Sequence, residues 1–199
     1  MHQSSNIPMS TLRSLSRVPA LNAGQAQWVV SLFAGAAAAA ATCLLDFKLG
    51  VPGHAILRCV LPMAFGLTLA PFRGSGMIMS FSALATGTGL KLAGFGEKGI
   101  GSIVSLLATG PLLDFAANRA RSAKGMWLGL IAAGTLSNVI AFVAQVLAKL
   151  MHLETGGGKP LSQWWKMAIW TYPACGAVAG LLTAAVLFRW NMPARTSDA

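Results

Sequence analysis

Charge is what this sequence has least of. Only 10% of its 199 residues are Asp, Glu, Lys or Arg, under half the usual share in soluble domains. A soluble surface cannot be built from so little charge, which excludes a water-soluble globular protein of this length. Acids are scarcer than bases: Asp and Glu number 5 against 15 Lys and Arg, a net charge of +10. The three cysteines, Cys43, Cys59 and Cys175, lie in apolar runs and form no CxxC. That argues against a disulfide framework or a zinc site and reads as small packing residues. GxSxG, HExxH, GxxxxGK[ST] and close carboxylate pairs are all missing. The chain therefore reads as no enzyme, with no metal, cofactor or nucleotide site.

What the sequence does have is apolar length. Hydrophobic residues make up 55%, and the mean hydropathy is +0.63. At about 20 residues per span, the runs 28–45, 55–70, 77–92, 100–117, 126–150 and 165–188 predict an all-α integral membrane protein. The expected architecture is a bundle of about six transmembrane helices over 28–190, with a polar basic tail at 1–27 and a short tail at 191–199. Pro62, Pro111 and Pro173 fall inside runs and predict kinks. In the N-terminal tail, Leu12, Leu15 and Val18 recur at helical spacing, which fits a short interfacial helix as well as a disordered basic tail. The glycines at 156–158 mark a hinge in the longest loop.

The positive charge belongs to loops that set topology and meet anionic lipid headgroups. No Lys/Arg cluster interleaved with aromatics offers a nucleic-acid surface. Arg13, Arg17, Arg73, Arg119, Arg121, Lys124, Arg189 and Arg195 share one side. Lys48, Lys91, Lys98, Lys149, Lys159 and Lys166 share the other. The first side reads as cytoplasmic, carrying both termini. Leu44-Leu45-Asp46-Phe47 recurs as Leu112-Leu113-Asp114-Phe115, three helices on, the spacing of an inverted repeat or of chance.

Several polar residues stand out against this background. His54 and Arg58 are four apart and share a helix face. Arg58, one turn into an apolar run, must face the interior, a wet cavity or the headgroups. It reads either as a cationic site for an anionic or polar ligand, or as a snorkelling residue or partner of Asp46. The turn-prone loop 46–54 before it reads as a lid or a plain connection. Asp114, four residues before Asn118, reads as a salt bridge to a nearby arginine or as a proton relay. Ser80, Ser82, Thr86, Thr88, Ser137 and Gln145 fit interhelical bonds or a cavity wall. Asn138 is the foremost cavity candidate, since a mid-membrane amide needs a partner. Trp164, Trp165, Trp170 and Tyr172 fit an interfacial belt or a stacking platform. Ala34 with Ala38, Ala36 with Ala40, Ala37 with Ala41, and Gly176 with Gly180 form small-xxx-small pairs for close helix docking.

Six short helices in about 200 residues with an Ala-rich first helix resemble the substrate-binding S components of energy-coupling-factor (ECF) vitamin transporters. The resemblance is architectural and covers 28–190. It implies that Ala34, Ala36, Ala38 and Ala40 dock a transmembrane coupling subunit. It also implies that the loop before His54 closes over a solute, and that Trp164, Trp170 and Tyr172 lie near it. Met1-His2 matches the start of the nickel and cobalt members, but the Asp-Gly that follows there is absent. On this reading the chain binds a small, polar, vitamin-like solute through His54, Arg58, Asn138, Trp164, Trp170 and Tyr172 in a bacterial inner membrane. Partner ATPases energise transport. The alternatives are an accessory structural subunit of a larger membrane complex and a self-contained proton-coupled carrier using Asp114.

Overall fold

The computed structural model describes residues 24–45, 52–95, 99–120, 122–153 and 161–191, with the backbone alone for Ala123 and residues 188–191. The expectations placed on 1–23, on Asp46 and Lys48, on Arg121, on Lys98, on 154–160 and on 192–199 fall outside the described residues. So does the first copy of the Leu-Leu-Asp-Phe repeat at its Asp46-Phe47.

Six helices form: α1 Gln25–Leu44, α2 Ala55–Leu69, α3 Ser75–Leu92, α4 Ile100–Arg119, α5 Ala123–Leu150 and α6 Leu161–Asn191. No strand occurs among the described residues. Four stretches are long and apolar enough to cross a membrane: Gln25–Leu44, Ile100–Arg119, Lys124–Leu150 and Leu161–Leu187. This is a multi-pass membrane protein. The other two helices fall short of the six expected spans. α2 has 15 residues, about 22 Å of helix against a hydrocarbon core of about 30 Å. α3 carries Ser75, Ser80, Ser82, Thr86, Thr88 and Lys91 in 18 residues.

Helix ends follow local chemistry. Ser122 caps α5 by accepting the Gly125 N–H at 3.1 Å, an N-cap oxygen satisfying one orphan donor. α5 stops where His152 turns left-handed (φ 53). There Leu153 N–H reaches Ala148 O at 3.0 Å and His152 N–H reaches Lys149 O at 3.3 Å, the paired bonds of a Schellman stop. Pro62, Pro111 and Pro173 are carried within α2, α4 and α6.

The helices close a ring in the order α1, α3, α4, α5, α6, α2, and α2 also leans on α4. The short α2 is the most enclosed: Ile56, Val60, Met63 and Ala64 have no exposed surface. Lipid gives helices no hydrophobic reason to associate, so close approach must supply the dispersion contact. Gly35 lies on the Met79 backbone, Gly76 on Gly110, and Gly134 on Gly176 and Gly180; a methyl group at any of them would overlap the facing chain. The small face of α1 is therefore used within the chain. Ala38 and Ala39 are fully buried, Ala34 faces Gly66, and Ala36 and Ala40 are half-buried.

The candidate solute cavity

Three polar side chains tie helix ends to their neighbours. Arg58 donates through Nη1 to Thr42 O at 3.2 Å, one of the last carbonyls of α1, where a cation also opposes the helix dipole. Its Nη2 lies 2.6 Å from His54 Nε2. A guanidinium only donates, so Nε2 is the acceptor of this contact. Gln145, from α5, accepts the Gly101 N–H at 2.6 Å through Oε1 and so caps the start of α4. Asp114, from α4, accepts the Gly74 N–H at 2.8 Å at the start of α3 and the Asn118 amide at 2.6 Å. Among the described residues Asp114 makes no ion pair. Arg119 is five residues on, turned about 140° round the helix, and its guanidinium lies 5.5 Å from the Phe115 ring instead.

Three serines of α3 and α5 also bond between helices, whereas Thr88 and Thr135 bond back to Leu84 O and Ile131 O within their own helices. Ser80 donates to Leu106 O at 2.8 Å, Ser82 to Leu32 O at 2.6 Å, and Ser137 meets Thr109 at 2.8 Å.

Asn138 has a different position. It is 1% exposed and donates both amide hydrogens to backbone carbonyls, Gly53 O at 3.0 Å and Tyr172 O at 2.7 Å. One side chain thus clamps the turn before α2 to α6. Gly53 has φ +84, and a Cβ there would press on Tyr172, so only glycine fits this turn. With both donors used, the Asn138 Oδ1 has no partner among the described residues.

Around this clamp is a cavity of about 190 Å³. Its polar wall is Gly53, His54, Ser102, Ser105, Asn138 and Gln145, and Trp164 and Tyr172 close it on the α6 side. No Lys, Arg, Asp or Glu is among its described lining residues. Ser105 is 2% exposed, and its Oγ has no hydrogen-bond partner among the described residues. A buried hydroxyl without a partner costs roughly 1–3 kcal/mol, so a group that satisfies it is favoured here. Phe142, Trp164 and Tyr172 form an aromatic cluster with centroids 5.4–6.0 Å apart, and the Lys149 ammonium lies 5.5 Å from the Trp164 ring.

The structure therefore brings His54, Asn138, Trp164 and Tyr172 to one cavity. Arg58 stands behind His54 and is not among the lining residues. Trp170 is 79% exposed: two positions along a helix turn the side chain by about 200°, so it faces away from Tyr172. Ser105, Gly53 and Gln145 complete the site. Gln145 shares with Asn138 the one legible signal, an amide deep in an apolar run; a serine in α4 gives none. No family model, curated protein or solved structure matches this chain.

Proposed function

We propose that this chain is a solute-binding membrane protein of the S-component type, taking a small, neutral, hydrogen-bonding solute at the end of the bundle that carries His54 and Asn138. The observation that supports this reading is the buried Ser105 hydroxyl, without a partner among the described residues, on the wall of a cavity that Asn138 and Gln145 also line. Among the described lining residues none is Lys, Arg, Asp or Glu, which favours a neutral solute over an anion. About 190 Å³ lies below the ~300–1,000 Å³ usual for drug-sized ligands, which favours a small solute. Asn138 Oδ1 and Ser105 Oγ hydrogen-bond it, His54 is oriented by Arg58, and Trp164 and Tyr172 exclude water. Trp170 has no part in the site.

Transport on this reading needs a transmembrane coupling subunit and partner ATPases. The outer face of α1, with Trp28, Leu32 and Phe33 exposed, remains for the coupling subunit. The Arg73 and Arg119 end faces the cytoplasm with both termini, in a bacterial inner membrane.

A second reading, an accessory subunit of a larger complex, draws on Ser80, Ser82, Ser137 and Gln145, whose bonds run between helices of this chain. Purification of the tagged chain from its native membrane in mild detergent separates the two. Stoichiometric ATPases with a coupling subunit are expected. A set of unrelated membrane subunits would replace the transport reading with the accessory one.

A further inference from the structure

A second concavity lies between α4 and α5, toward the end where Arg119 closes one helix and Ser122 opens the next. It encloses about 540 Å³ and is lined by Ala116 and Ala120 of α4 and by Gly125, Gly129, Ala132 and Leu136 of α5. From Gly125 to Leu136 the helix rises about 16 Å, close to the ~15 Å of hydrocarbon in one leaflet. Its length and its lining of Ala, Gly and Leu suit one flexible acyl chain lying along the helices.

Its open end is cationic. Arg119 lines the groove with its guanidinium 5.5 Å from the Phe115 ring. Lys124 is exposed one residue before Gly125. The segment 119–124 also contains Arg121, outside the described residues, and contains no acid.

We propose that this groove seats one acyl chain of an anionic phospholipid, with the phosphate headgroup at Arg119 and Lys124. A zwitterionic lipid would offer the same chain and phosphate, but its choline offsets the phosphate charge that the cations attract. The proposal is independent of the solute reading, because it concerns the opposite halves of α4 and α5 and shares no lining residue with the solute cavity.

The test uses the full-length chain, delipidated in detergent and titrated with phosphatidylglycerol or phosphatidylcholine, with bound lipid counted by native mass spectrometry. Phosphatidylglycerol is expected to be retained at one per chain in preference to phosphatidylcholine. Arg119→Gln should weaken its retention about fivefold, the change that ~1 kcal/mol per surface cation converts to. Gly129→Leu should abolish retention by filling the groove. A Cβ at Gly129 meets Ala116 at an ordinary 3.7 Å, so the backbone has room for it. Ala132→Leu is the second plug should Gly129→Leu fail to fold by circular dichroism. Equal retention of the two lipids would overturn the proposal, as would retention unchanged by a folded plug variant. A lipid-free dimer that the plug turns into a monomer would also overturn it, since a second copy would then fill the groove.

Discussion

Replacing Asn138 by leucine removes two hydrogen bonds with one nearly isosteric change. The bonds run to Gly53 O and Tyr172 O at 3.0 and 2.7 Å. Interhelical bonds in membranes average about 0.6 kcal/mol and reach about 1.7. Two of them give about 1.2 kcal/mol at the average and about 3.4 at the maximum, a range of about 1–3 kcal/mol whose centre is near 2. Tyr172 lies inside α6, so its carbonyl stays in the helical ladder. The turn at Gly53 is half-buried, so its freed carbonyl can find water, which holds the loss near that centre. For a chain of this size ~2 kcal/mol lowers the melting temperature by about 4–8 °C. Thermal unfolding in detergent reads that shift, and hydrogen exchange on the peptide 52–58 should quicken as the turn is released. Asn138→Asp should cost more than leucine, because it also sets an anion against two carbonyl oxygens. A leucine variant that melts like wild type with unchanged exchange at 52–58 would refute the clamp.

Other outcomes follow from the same contacts. Arg58→Met should destabilise by about 1–3 kcal/mol through the lost bond to Thr42 O; lysine should not rescue it, because one ammonium cannot reproduce the guanidinium fork. Chemical denaturation measures both, and solute content should survive if Arg58 only positions His54. Gly110→Leu forces a side chain into the Gly76 backbone and should cost at least the ~1–3 kcal/mol of overpacking, read as loss of the monodisperse peak on size exclusion. Asp114→Asn should preserve melting within about 1 kcal/mol, since it keeps an acceptor for the Gly74 N–H, whereas Asp114→Leu should not. A stable Asp114→Asn chain that had lost transport would support the proton-coupled alternative.

The four long helices were legible because apolar runs of spanning length leave few other options in lipid, and α2 and α3 as shorter apolar runs between them. Their ends were less so. α1 begins at Gln25 and α6 at Leu161, a few residues before the apolar runs, because polar residues such as Gln25, Gln27, Ser162 and Gln163 continue the helix. Adjacency did not give the partners of the helix-four acid: Arg119 is near Asp114 in sequence, but the carboxylate accepts the N–H groups that open α3, and Arg121 lies outside the described residues. Trp170 shows the same limit, being near Tyr172 in sequence and facing away from it on the helix. The cavity could not be read in advance. Its polar wall joins the turn before α2 to α4 and α5, and Ser105 is distinguished only by lacking a partner in the packed bundle. The small-residue pairs were plain in the sequence, but which of them meet inside the chain depends on the order of helices around the ring.

The central claim is that the cavity beside Ser105 and Asn138 holds a solute. It is tested most directly by denaturing protein purified from its native membrane and analysing the small molecules released by mass spectrometry. Wild type should be compared with Ser105→Val, which swaps the hydroxyl for a methyl group of similar size, and with Asn138→Leu. One small neutral polar compound near one per chain, lost from both variants while they remain folded, is the predicted result. No compound above background in wild type, or a compound retained equally by both variants, would contradict the account.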